Sequence, residues 1–176
     1  MPACSAIPNS CAAPLRRQCP NLRPEAPNPL LLSPNTTLTK KHRLQVAALC
    51  WRRTRKGRIR VLLITSRDTG RWVIPKGWLM HNRSNHEAAA REAFEEAGVR
   101  GKVAPEAIGL YPYRKELGRG RSVPVVVQVF PLEVSEMLRQ YPENGQRRAK
   151  WFSRKDASRK VLEPQLQKLI RKFSSK

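Results

Sequence analysis

A chain of 176 residues has room for one ordinary domain and a tail, and this one carries a formal net charge of +22. No apolar run approaches the ~18 residues needed to span a bilayer. The four cysteines fit neither a zinc spacing nor a disulfide framework. Composition thus predicts a protein of a reducing, cytoplasmic interior whose field gathers polyanions, with phosphorylated small molecules, nucleic acid and anionic surfaces all in that class.

The first 43 residues hold eight prolines among Ser, Asn and Thr, with no apolar period. Proline removes backbone donors and fixes φ, so residues 1–43 are predicted to be a flexible leader, with a folded domain over 44–176. Their arginine-containing, acid-poor composition also admits an organelle transit peptide. Six Lys/Arg against Glu25 leave about +17 of the +22 on the domain, so the basicity belongs to the folded part.

Leu44 to Trp51 and Arg58 to Thr65 read as strands around the basic turn from Arg52 to Gly57, and Arg71 to Pro75 as a shorter strand. Ser84-Asn85-His86-Glu87 has the form of a capping box, strong helix formers follow to Ala97, and Gly98 suits a left-handed cap. A helix is therefore expected at about Asn85 to Ala97. Ile108 to Tyr113, Ser122 to Phe130 and Lys150 to Phe152 read as further strands. Ser153 caps a short helix, and Glu163 to Phe173 forms an amphipathic one with Leu166, Leu169, Ile170 and Phe173 on one stripe. The fold class is α/β, with a mixed sheet and helices against it.

On the predicted central helix Glu92, Glu95 and Glu96 stand at i, i+3 and i+4, so three carboxylates share one face. A solvated acidic face is the plain alternative. Yet four of the thirteen acids of a very basic chain fall within ten residues here. Like charges so placed call for a hard divalent cation such as Mg²⁺, which brings phosphate oxygens as further ligands.

From Gly77 the chain reads GWLMHNRSNHEAAAREAFEEAGV. This resembles the Nudix box, with Gly77, Arg91, Glu92, Glu95, Glu96, Gly98 and Val99 in register and Arg83 where the family has its first glutamate. Glu87 is the expected substitute partner for Arg91, which can also reach Glu95. The resemblance implies an α/β/α sandwich with a loop-helix-loop motif that hydrolyses pyrophosphates with Mg²⁺, or Mn²⁺ in its place. Glu92 and Glu96 would carry the metal, Glu95 would share it, and the Gly77 carbonyl would add a ligand. The resemblance implies that Glu92 or a later acid such as Glu116 or Glu143 would be the proton acceptor, and Arg91 could orient a carboxylate.

Within the family the chain is most similar to the diphosphoinositol polyphosphate phosphohydrolases, through CWR (50–52), ITSRDTGRWVIPKG (64–77) and GQRRAKWFSRKDASRKVL (145–162). PKGW stands where those enzymes have a triple glycine. The resemblance implies that Arg52, Ser66, Arg67 and Arg148 contact a polyphosphate of an inositol or a dinucleoside, and Lys76 could add a charge. Trp78, beside Gly77, is the best stacking candidate. Two other readings stand beside this one. Either the enzyme acts on RNA 5′ ends or nucleotides, with nucleic acid held by the basic regions, or Arg83 marks a decayed, binding-only box.

Overall fold

The computed structural model describes residues 43–118 and 120–175. The expected leader lies outside them, except that Arg43 opens the first strand. The elements are β1 (Arg43–Arg53), β2 (Ile59–Thr65), β3 (Trp72–Val73), β4 (Lys76–Trp78), α1 (Asn85–Ala97), β5 (Val99–Val103), β6 (Gly109–Glu116), β7 (Ser122–Met137), β8 (Ala149–Ser153), α2 (Arg154–Lys160) and α3 (Pro164–Lys172).

All the strands share one mixed sheet with the path β3-β2-β1-β7-β5, while β4, β6 and β8 pair with β1, β7 and β2. β1 runs parallel to β7 along its length, whereas its two ends pair antiparallel with β4 and β2. Central strands buried on both faces read as unbroken apolar runs, which explains VAALCW in β1 and VLLI in β2. Alternate residues go to opposite cores. Ala47, Leu49, Val61 and Leu63 pack with Leu166, Ile170 and Phe173 beneath α2 and α3. Val46, Ala48, Leu62 and Ile64 pack under α1, whose contact face is Ala88, Ala89, Ala93 and Ala97. These small side chains let the helix lie close to the sheet, and the result is the expected α/β/α sandwich.

Three strand expectations are corrected. The run at 71–75 breaks at Ile74-Pro75, and after it a separate β4 crosses to β1. β5 went unread because its pattern is largely exposed and polar. β7 continues past Phe130 to Met137, since at Pro131 it exchanges β6 for β5 as partner.

Candidate active site

α1 is set by its ends. The Glu87 carboxylate accepts from the backbone N–H of Ser84 at 2.9 Å and from its hydroxyl at 2.7 Å. Gly98, at φ 65°, donates its N–H to the Phe94 carbonyl at 2.9 Å. Glu87 is thereby engaged by Ser84 and does not reach Arg91, which pairs with Glu95 at 2.6 Å. The expected substitution of Glu87 for the missing glutamate at Arg83 is corrected accordingly.

α1 presents Glu92 and Glu96 to a cleft of about 580 Å³, walled by β4, by β6 and by the loops after β2 and β7. Gly77 in β4 lies directly against Glu92. A Cβ built on Gly77 would stand 1.9 Å from Glu92 Oε1, so only glycine leaves the carboxyl its seat. The buried Glu96 accepts the Lys76 backbone N–H at 3.0 Å and an N–H of Arg147. Arg147 also donates to Glu143 at 2.8 Å and to the Thr65 carbonyl at 3.1 Å. The Glu143 N–H in turn donates to the Glu95 carbonyl at 3.0 Å, tying the loop to the helix. Arg71 donates to Glu163 at 2.6 Å, while Glu163 Oε2 is buried with no partner among the described residues.

Six acidic side chains line this cleft, of only thirteen in the whole sequence, together with six basic ones. The acids are not fully offset. Burial, then Glu96, Glu95 and Glu143, push the Glu92 carboxyl up to about 7. Burial also raises Glu96 against the opposing pull of Arg147 and Lys76. Lys76 is lowered, chiefly by burial. As the side chains stand, no three His, Cys, Asp or Glu groups among the described residues form a ready ligand cage. The donor set is nevertheless hard oxygen with unneutralised charge, which suits Mg²⁺ or Mn²⁺ once Arg147 yields part of Glu96.

From the ordinary 4.5 up to about 7 the folded protein keeps a proton on Glu92 that the unfolded chain has lost. Stability therefore falls as pH rises through that window and levels off above it. In chelator, the thermal midpoint of wild type minus that of Glu92→Gln is expected to drop between about pH 5 and about pH 7.5, and excess Mg²⁺ to flatten the drop. A pH-independent difference in chelator would contradict this electrostatic picture.

The family model of the NUDIX domain matches residues 43–173. The chain belongs to the NUDIX family. It is 33% identical over 111 residues to Nudix hydrolase 13, mitochondrial, of Arabidopsis thaliana, covering 58% of this chain and 53% of that one. It thus spans about half the length of that relative. Diphosphoinositol polyphosphate phosphohydrolase 3-alpha of Mus musculus is 31% identical over 135 residues, covering 74% of this chain and 77% of that one. The solved Escherichia coli dihydroneopterin triphosphate pyrophosphohydrolase superposes with a TM-score of 0.58 at 17% identity, over 76% and 95% of the two chains, and shares the fold.

Of the Nudix residues expected from sequence, Gly77, Glu92, Glu96, Ser66, Arg67 and Lys76 line the cleft. Glu95 and Arg91 lie outside its lining, paired with each other. Arg52 stacks its guanidinium over Trp151, 4.2 Å from the ring centre, and is also outside the lining. Arg148 is exposed and donates its backbone N–H to Thr65 Oγ1, while its neighbour Arg147 enters the cleft. Arg71, Arg147 and Glu163 were not singled out for the site, and Glu143 only as a candidate proton acceptor. Arg147 and Glu96 are 51 residues apart, so no local spacing links them.

Proposed function

We propose that this Nudix protein is a divalent-cation-dependent pyrophosphohydrolase that cleaves a phosphoanhydride in a highly phosphorylated small molecule. The observation that carries this reading is the gathering of six of a basic chain's thirteen acids into one cleft, with Glu92 seated against Gly77. Glu92 and Glu96 would hold Mg²⁺ or Mn²⁺ with the Gly77 carbonyl, and Glu95 would join on releasing Arg91. Such a cation neutralises phosphate oxygens and makes bound water more acidic. Ser66, Arg67 and Lys76 would hold phosphates, together with Arg71 and Arg147. Glu116 and Glu143 face this centre from other elements, and with Glu92 they are the available proton acceptors.

Two substrate classes fit the phosphate-binding groups, diphosphoinositol polyphosphates and dinucleoside polyphosphates, and the name of the mouse relative points to the first. The cleft's equal numbers of acids and bases favour the second. A nucleoside brings a flat base for Trp78, which is 37% exposed at the cleft edge. The cytoplasmic placement rests on cysteine usage; no helix among the described residues is long and apolar enough to cross a membrane.

A substrate panel tests the choice. With Mg²⁺, kcat/KM is expected to be up to ~10-fold higher for a dinucleoside polyphosphate than for a diphosphoinositol polyphosphate, the scale of one aromatic stacking contact. The reverse order would restore the inositol reading. Triphosphorylated RNA as the best substrate would favour 5′-end processing, and binding without phosphate release from any compound would leave a decayed module.

A further inference from the structure

The positive charge of this protein is not in its cleft, where bases and acids are equal in number. It collects elsewhere. A separate depression of about 670 Å³ between the β1–β2 turn, the start of α2 and the end of α3 is lined by Arg53, Arg58, Arg154, Lys155 and Arg171, and by no acid. On the other side of α2, a second depression of about 440 Å³ adds Arg60, Lys150, Arg159 and Lys160. Its one acid, Asp156, is committed to the Ser153 hydroxyl and backbone geometry that caps α2.

None of these nine cations takes part in an ion pair among the described residues, whose salt bridges involve Arg67, Arg71, Arg91 and Arg147 alone. Arg53 and Arg154 each spend an N–H on the chain near its end, at Ser175 and Phe173. That fixes two guanidiniums in the depression with donors to spare, since each carries five. Lys150 and Lys160 lie 5.8 and 5.4 Å from the centre of the Phe152 ring, so the second depression sets its charges around an aromatic floor.

Like charges crowded this way repel one another, and a fold gains from them only when a polyanion spans them. We propose that the face around α2 is a docking surface for the phosphodiester backbone of a single-stranded nucleic acid, distinct from the Nudix cleft. Two concave depressions on either side of one helix suit a flexible strand that can follow them, as single-strand sites combine a basic groove with aromatic rings. A bilayer instead engages protruding apolar side chains, and Ile59 is the one aliphatic residue in the first depression. The proposal holds whatever the cleft hydrolyses.

The test uses the full chain, a fluorescein-labelled oligouridylate of about twelve residues (the site-size scale of such grooves) and anisotropy titrations over a salt series. Each neutralised phosphate contributes about −0.7 to the slope of log K against log salt, so wild type is expected near a slope of about −3. Arg58→Gln/Lys155→Gln/Arg171→Gln removes three exposed charges that make no hydrogen bond within the described residues. It is expected to weaken binding by at least ~10-fold and make the slope shallower by about 2, with cleft hydrolysis unchanged. Arg83→Gln/Arg100→Gln/Arg139→Gln removes equal charge at exposed residues that line neither depression and is expected to cost less than ~3-fold. Equal losses in the two triple variants would overturn the proposal, as would no binding by wild type. Selective, α2-dependent binding to phosphatidylserine vesicles in place of the oligonucleotide would assign the face to membranes and overturn it too.

Discussion

Glu96→Gln is expected to lower kcat for phosphoanhydride hydrolysis by about 10²- to 10³-fold, a loss of roughly 3–4 kcal/mol of transition-state stabilisation. The glutamine keeps the shape and still accepts the Lys76 N–H, which Glu96 now holds at 3.0 Å. Arg147 keeps Glu143 and the Thr65 carbonyl as partners, so its charge is not stranded. Burial already disfavours the Glu96 carboxylate. The fold should therefore survive, with a stability change of about 1–2 kcal/mol by chemical denaturation. What the variant lacks is the charge that a cation in the cleft requires. Steady-state turnover beside a circular dichroism spectrum separates the two effects, and full activity in a folded Glu96→Gln protein would remove Glu96 from the reaction.

The second large effect comes from a methyl group. Gly77→Ala would place a Cβ 1.9 Å from Glu92 Oε1, a distance no side chain tolerates. Gly77 is buried within β4, and the obstructing atoms belong to the free end of a glutamate, which swings aside more cheaply than backbone. The stability cost is expected to stay within ~1 kcal/mol, the range of a small local adjustment. Activity is expected to fall by about 10²-fold, because displacing a reacting-centre group by ~1 Å costs on that scale. This inversion of the usual core substitution, small in stability and large in rate, is read by comparing denaturant midpoints with kcat. An alanine variant that turns over normally would show that the Glu92 seat does not matter.

How much of this was written in the sequence depends on range. α1 was legible because its capping box, its alanines and Gly98 are all local signals, and its bounds are those expected. The carboxylate triplet was legible as spacing, but spacing does not say which member turns outward. Glu95 meets Arg91 one turn back, whereas Glu96 points under β4. The strands that went unread lack apolar alternation, β5 through its exposed middle and β4 through its three-residue length. The strand expected over Ser122 to Phe130 runs on to Met137 because at Pro131, whose carbonyl accepts from Ala104 at 2.9 Å, β7 changes partners. The far wall of the cleft was the least legible. Arg147, Glu143 and Glu163 reach it from distant segments, and the exchange of Arg147 for Arg148 turns on which neighbour in a loop faces inward.

Direct cation binding tests the centre of this picture without any choice of substrate. Mn²⁺ titrated into the full chain, with the free ion followed by electron paramagnetic resonance, is expected to show a site in wild type that weakens by at least ~10-fold in both Glu92→Gln and Glu96→Gln, the scale on which disturbing a metal's ligand shell lowers affinity. A titration in which those two variants take up Mn²⁺ as tightly as wild type would contradict it.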